Sequence, residues 1–423
     1  MNNRKESDIG SYPEDWELNT VETIKHPESK SIISGPFGSN ISAKYFVEDG
    51  VPVIRGNNLS LHISERFKDH GFVYITEEKA SELNTWATID DLVFTAVGTI
   101  GQVGIISQRL RYSNYIISNK QLRLRVDKNK VLPIFAYYWF ASPVMVEQII
   151  QRNTGSSVPL INLSVLKSLQ IPIPSLKEQI AITSVLSSLD DKIDLLHRQN
   201  HTLEQMAETL FRQWFVEDPD EGWEETNMSN YAEHTKVSIK PNAKPTDIYA
   251  HYSIPGFDAG KEPVFETGQE IRSNKYKVYN NTILFSKLNP HKDKRIWLIL
   301  DDAPKNAICS TEFQVLKPKD ENHLYFAYGW ISNPINYREI ASGVGGTSGS
   351  HQRISPSEIF SFHAPKIPSE LLNEYADKVK PLYKKQKNNQ TQIRALTALR
   401  DTLLPKLMSG EVRVKINTTS YVS

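Results

Sequence analysis

Tyr138-Trp139-Phe140-Ala141-Ser142-Pro143 returns 191 positions later as Gly329-Trp330-Ile331-Ser332-Asn333-Pro334. At the same offset Leu92-Val93-Phe94-Thr95 falls on Ile283-Leu284-Phe285-Ser286, and Gln121-Leu122-Arg123-Leu124 on Glu312-Phe313-Gln314-Val315. Gly155-Ser156-Ser157 likewise falls on Gly346-Thr347-Ser348, and Leu163-Ser164 on Ile354-Ser355. Several blocks in one register indicate an internal duplication, and the architecture follows from it. Both copies open on a tryptophan, in Tyr12-Pro13-Glu14-Asp15-Trp16-Glu17 and in Asp218-Pro219-Asp220-Glu221-Gly222-Trp223-Glu224. Both close on a proline-punctuated stretch, Ile171-Pro172-Ile173-Pro174-Ser175 and Pro365-Lys366-Ile367-Pro368-Ser369, where the fixed proline φ disfavours helix.

Inside each copy the pattern is mixed. Leu92 to Val97 and Gly101 to Ile106 predict two strands joined by a short glycine turn, with Thr282 to Ser286 and Arg295 to Leu300 as counterparts. Aromatic-rich helices near 133–152 and 323–342 are expected to pack on them. Arg123 and Arg125, alternating with Leu122, Leu124 and Val126, predict an exposed sheet face. Each copy therefore reads as an α+β domain.

A long helical pattern follows each copy. Ile182, Leu189, Leu196, Leu203 and Leu210 repeat every seven residues, with Leu186, Ile193, Ala207 and Trp214 in the second apolar series and Asn200 interrupting it. Leu372, Val379 and Ile393 form one series of the later helix and Tyr375, Leu382, Leu396 and Leu403 the other, with Gln386 and Asn389 as central polar residues. Some forty residues make a rod of roughly 60 Å. Four basic and seven acidic residues over 176–217, against eight basic and four acidic over 369–410, favour pairing of the two. The expectation is a pseudo-two-fold repeat: two similar domains, 1–175 and 218–368, separated by two long antiparallel coiled-coil helices, 176–217 and 369–410, with a tail at 411–423. Pro381 is expected to kink or divide the second helix. The competing arrangement is two ordinary amphipathic helices enclosed in larger cores.

Composition narrows the class. Hydrophobic content of 39% and charged content of 23% suit a globular chain. No secretory signal opens it, no run of eighteen apolar residues would span a membrane, and one cysteine, Cys309, allows neither an internal disulfide nor a cysteine-rich metal site. A cytoplasmic location is expected, without a membrane partner. Lysine plus arginine equal aspartate plus glutamate at 49 each, so any nucleic-acid surface must gather its cations locally. No GxxxxGK[ST] loop, HExxH pair or G-x-S-x-G elbow is present, and the eleven histidines lack metal-ligand spacing. Asn289-Pro290-His291 lacks the second proline and the aromatic of an adenine methyltransferase motif. The chain is expected to carry no catalytic residue, no metal and no cofactor of its own.

Ser34-Gly35-Pro36-Phe37-Gly38-Ser39, the junction Ile171-Pro172-Ile173-Pro174-Ser175-Leu176-Lys177-Glu178-Gln179, and the helix ends Leu210-Phe211-Arg212-Gln213-Trp214-Phe215-Val216 and Leu403-Leu404-Pro405-Lys406-Leu407-Met408-Ser409-Gly410-Glu411 together resemble the specificity subunit of type I restriction-modification systems. The resemblance covers nearly the whole chain. It implies two target-recognition domains, each reading half of a split site in double-stranded DNA. It also implies two methylation subunits docked along the helices, which use S-adenosylmethionine on adenine, and restriction subunits driven by ATP and Mg. The alternative function is a coiled-coil scaffold without DNA readout.

Bases are read by a few polar side chains, while phosphates are held by cations, hydroxyls and backbone amides. In the first domain the candidates are Ser39, Asn40, Lys44, Arg55, Asn57, Asn58, Asn119, Lys120, Thr154, Ser156 and Ser157. In the second they are Lys287, Asn289, His291, Lys292, Lys294, Arg295, Ser310, Thr311, Thr347, Ser348, Ser350, His351, Gln352 and Arg353. Lys287 to Arg295 is the densest cluster, and a solvated hairpin is its plain alternative. A simple turn would equally explain Arg55-Gly56-Asn57-Asn58, and a flexible linker Gly343 to Gly349.

Overall fold

Trp139 and Trp330, the tryptophans of the repeated stretch, perform one task twice. Each lies on an apolar helix, Pro133–Phe140 or Glu321–Ser332, and donates its Nε1–H over 2.8 Å to a main-chain carbonyl, that of Gln170 or His363. A buried indole N–H needs such an acceptor. The accepting residues open the strands Gln170–Ile173 and His363–Pro365, which pair antiparallel with Glu17–Thr20 and Glu225–Asn227 just after the tryptophan-bearing openings. The proline stretches are thus extended edge pairs, and a long helix begins a few residues beyond each. The computed structural model describes residues 3–217, 219–343 and 352–415. Its contacts divide the chain into two compact units, Met1–Leu195 with Gln392–Ser423, and Leu196–Thr391.

In the first unit a four-stranded sheet has the order Ile32–Ser34, Gln121–Leu124, Leu92–Thr95, Val103–Ile105. Every residue of Leu92–Thr95 is buried, because this strand is covered on both faces. Leu92 and Phe94 face the helix that carries Trp139, whereas Val93 faces Ile54, Ala87, Tyr115 and Ile117 of a second sheet. That sheet runs Val73–Ile75, Val51–Ile54, Asn114–Ile117, Trp86–Thr88, with Val51–Ile54 and Asn114–Ile117 parallel. Arg123 corrects the expectation of an exposed face: it is buried, Nη1 donates to the Trp86 carbonyl over 2.8 Å, and Asp91 lies 3.6 Å away. The second sheet covers the face that alternation alone assigned to solvent.

The second unit repeats this plan. Its first sheet is Ala232–Thr235, Phe313–Pro318, Thr282–Ser286, Ile296–Ile299, and its second is Ser238–Ile239, Lys275–Lys277, Ala307–Cys309, Ile248–Tyr252, Val264–Thr267, again with a parallel central pair. One equivalence needs correction. Phe94 stands opposite Leu122, but Phe285 stands opposite Gln314 and not Phe313. The sequence offset is therefore one residue short at this strand, and a one-residue slip exchanges the two faces. Buried Gln314 takes the helix-side place of Leu122, its Nε2 donating to the Ile354 carbonyl over 3.0 Å.

The helices expected near 133–152 and 323–342 are each a pair. Pro133–Phe140 is followed by Pro143–Gln151 and Glu321–Ser332 by Pro334–Ser342. Ser142 and Asn333 cap the new helices, and the following proline occupies the first turn, where its missing N–H costs nothing.

The long helices are Leu176–Arg212, continued by one π-helical turn at Gln213–Glu217, and Ser369–Met408. Pro381 is exposed and does not divide the second, which runs unbroken through it. Val379 and Tyr383, buried on either side, hold the helix against the core of the second unit. Within the first unit Ile182 and Leu186 share a core with Leu404, Leu407 and Met408, and Asp190, further along the first helix, lies 3.1 Å from Arg400, earlier in the second, so the two segments run in opposite directions. Within the second, Asn389 Nδ2 donates to Asn200 Oδ1 over 2.9 Å and Gln386 Nε2 to the Asn200 carbonyl over 2.9 Å, while Phe211 meets Tyr375 with ring centroids 6.1 Å apart. Of the expected pairing positions, Ile182, Leu186, Ile193, Leu196, Leu372, Val379 and Ile393 are buried, and Leu189, Asn200, Leu203, Leu382, Leu396 and Leu403 are partly buried. Asp190 and Arg400, absent from that heptad reading, form a buried pair at 3.1 Å, and Tyr138 donates to Asp190 over 2.6 Å.

Candidate nucleic-acid interface

The two units share more than topology; one corner is built with the same hydrogen bonds in both. In the first unit the chain leaves the strand Asn114–Ile117 and turns through Ser118, Asn119 and Lys120. The Ser118 amide donates to the Ile54 carbonyl (3.0 Å), the Lys120 amide faces Ser118 Oγ (3.4 Å), and the Ala96 amide donates to the Lys120 carbonyl (2.8 Å). In the second unit the turn is Ser310, Thr311 and Glu312. The Ser310 amide donates to the Tyr252 carbonyl (3.0 Å), the Glu312 amide to Ser310 Oγ (3.2 Å), and the Lys287 amide to the Glu312 carbonyl (2.9 Å). Gly98 and Asn289, both with positive φ (101° and 44°), occupy one further common position; their amides donate to the carbonyls of Pro159 (2.9 Å) and Gln352 (2.8 Å). Glycine and asparagine are the residues that adopt this conformation most cheaply.

In the first unit this corner lines an open cleft of about 640 Å³ that brings together Arg55, Asn57, Asn119 and Lys120 with Gly56, Gly98, Thr99 and Gln102. The four candidates are exposed. Ser39, Asn40 and Lys44, also exposed, lie on the 3₁₀ turns Gly38–Ile41 and Ala43–Tyr45, which bring Ile41 to the cleft wall. Gly35 must be glycine: a Cβ there would stand 1.8 Å from the Ser118 carbonyl oxygen, so this segment lies directly against the corner. Phe37, close by in the chain, is 85% exposed. Thr154, Ser156 and Ser157 are exposed on a loop closed by the Thr154 amide bonding to the Leu160 carbonyl over 2.9 Å, and joined to the corner at Val97 and Leu160.

Asn58 is not at this surface. It is fully buried, accepts the Arg55 amide at Oδ1 (2.9 Å), and donates through Nδ2 to the carbonyls of Lys68 (3.1 Å) and His70 (2.9 Å). It holds the turn from which Arg55 and Asn57 project.

In the second unit Lys294 and Arg295 also have internal partners. Lys294 Nζ donates to the Ser332 carbonyl and lies over the Tyr337 ring, 5.8 Å from its centroid. Arg295 binds Asp258 through Nε (2.7 Å) and Nη2 (2.9 Å), with Asp293 at 3.0 Å; the Asp258 hydrogen bond raises the guanidinium pKa despite partial burial. These contacts brace the segment that the sequence read as one basic patch. His291 and Lys292 are exposed; Lys287, Ser310, Thr311 and Gln352 are partly buried around the corner; and Asn289 Oδ1 accepts the Gln352 amide over 3.0 Å. Arg353 is exposed and forms a two-point pair with Glu312, Nε to Oε2 at 3.0 Å and Nη2 to Oε1 at 3.1 Å, a hydrogen bond that raises the Arg353 pKa. Thr347, Ser348, Ser350 and His351, with most of the stretch 343–349, lie outside the described residues. Glu312, Phe37, Thr99 and Gln102 were not among the sequence candidates. No local signal in the sequence singles out Glu312 as the partner of Arg353, and the exposure of Phe37 emerges only from the fold.

Among the described residues no group of three or more histidine, cysteine or acidic side chains could hold a metal, and no helix is long and apolar enough to cross a membrane.

Residues 15–205 match the family model for the type I restriction modification DNA specificity domain. Over 441 aligned positions the chain is 28% identical to the type I restriction enzyme MjaIX specificity subunit of Methanocaldococcus jannaschii, covering 97% of this chain and 96% of that one. It is 23% identical over 381 positions to the HindI specificity subunit of Haemophilus influenzae, covering 71% and 82%. The fold is similar to the crystal structure of a type I restriction-modification S subunit from M. genitalium, with a TM-score of 0.59 at 16% identity, over 93% of this chain and 96% of that one. The duplicated domains, the long helices and these likenesses agree: the chain carries a type I restriction modification DNA specificity domain over residues 15–205 and is similar along nearly its whole length to specificity subunits of type I restriction enzymes.

Proposed function

We propose that this chain reads double-stranded DNA at a split site, one half by each α+β domain, with the paired helices setting the interval between halves. The observation that carries the reading is one hydrogen-bonded corner built twice, presenting Arg55, Asn119 and Lys120 in one unit and Thr311, Glu312 and Arg353 in the other. A repeated scaffold with different polar tips suits the reading of two different half-sites, because position comes from the backbone and sequence preference from the side chains. In this reading the subunit performs no chemistry. Two methylation subunits dock along the helices and modify adenine with S-adenosylmethionine, and restriction subunits using ATP and Mg join them, all in the cytoplasm.

The test is to express the chain with its methylation subunits in a host lacking the system and to map methylated adenines genome-wide. A two-part motif with a fixed gap, lost when this gene is deleted, is the expected result. Methylation indifferent to the deletion would leave a scaffold without DNA readout.

A further inference from the structure

The shared corner allows the two units to be compared side chain by side chain. Lys120 and Glu312 hold the same place, each ending a serine-led turn and each accepting at its carbonyl the amide of the residue just after a strand, Ala96 or Lys287. Leu160 and Arg353 hold a second common place, bridged to Val97 and Leu288 respectively. The first unit thus offers the exposed ammonium of Lys120. The second replaces that cation with a carboxylate and puts its cation on the neighbouring segment, where the carboxylate grips it.

The geometry points to Arg353 as a base-reading residue that recognises guanine in one half-site, with Glu312 as its positioning residue. This rests on the split-site reading above. A guanidinium has five N–H donors in a planar fork. Glu312 occupies the edge formed by Nε and Nη2, at 3.0 and 3.1 Å, and fixes the plane of the group. The opposite edge, Nη1 with the remaining Nη2 hydrogen, stays available; among the described residues Nη1 has no hydrogen-bond partner, and the side chain is 44% exposed against 27% for Glu312. Two parallel donors on a fixed planar edge match O6 and N7 of guanine in the major groove, and a pre-oriented fork loses less rotamer freedom on contact. A phosphate contact would require only charge, and a lysine would serve it.

That difference supplies the test. Arg353→Lys keeps the charge and removes the fork, so methylome mapping of the assembled system should show one position of one half-site relaxed by about 10- to 100-fold in preference for guanine, with the other half-site unchanged. Glu312→Gln should relax the same position by less and leave the salt dependence of binding to nonspecific duplex unaltered; Glu312→Asp should restore part of the preference, a pattern that mere loss of stability would not give. If Arg353→Lys preserves every base of both halves, Arg353 holds a phosphate and the assignment fails. If the wild-type system yields no two-part motif, the split-site reading itself fails, a result distinguishable from the first.

Discussion

At the residue scale, the decisive distinction is between polar groups turned to solvent and polar groups consumed by the fold. Arg55, Asn57 and Asn58 are neighbours in one short turn, yet the first two line an open cleft and the third is sealed beneath it by three hydrogen bonds. Asn58→Ala would strand the Arg55 amide and two carbonyls, and each buried group left unsatisfied costs about 1–3 kcal/mol. A fall of that order or greater in unfolding free energy, measured by urea denaturation, is expected. Sequence could rank these residues as turn formers but could not separate them, since burial of Asn58 depends on Lys68 and His70, ten and twelve residues away.

The long helices show the same contrast at the scale of elements. Their heptads were legible because an apolar seam repeats along the chain and needs no knowledge of its partner. The charged pair within the seam was not, since Asp190 and Arg400 are 210 residues apart and each alone resembles a surface charge. With side chains only 4% and 5% exposed, they sit where an unpaired charge is strongly disfavoured. Arg400→Met should destabilise the first unit by less than the roughly 3–5 kcal/mol of a fully isolated buried charge, because Arg66 Nη2 still lies 3.4 Å from Asp190 Oδ2, and adding Asp190→Asn should recover part of that loss. Chemical denaturation of the single and double variants decides it; equal stability of all three would show that the pair contributes nothing. Pro381 teaches the converse. Its local rule is sound, yet a helix whose neighbouring turns are buried through Val379 and Tyr383 continues past the missing N–H.

For the whole molecule, the proposed reading makes the helices a measure of the interval between half-sites. Inserting one heptad in each, at facing positions, adds about 10 Å to both rods, which corresponds to about three base pairs at 3.4 Å each. The methylated motif should keep its two halves and widen its gap by that amount. An unchanged gap in a folded, active complex would remove the helices from this role.

By itself the sequence determined the duplication, the α+β character of each copy, the proline strands leading into helices and the heptads, because all of these are written in local spacing that survives without coordinates. Tertiary structure alone decided which cations are available. Arg295 is engaged by Asp258 and Arg123 is buried under a second sheet, whereas Arg353 is held by Glu312 with one edge left open. It also placed Gln314, and not Phe313, opposite Phe285. The physical reason is common to these cases: a charge or a register is settled by partners brought together across tens of residues, and spacing along the chain carries no record of which groups meet.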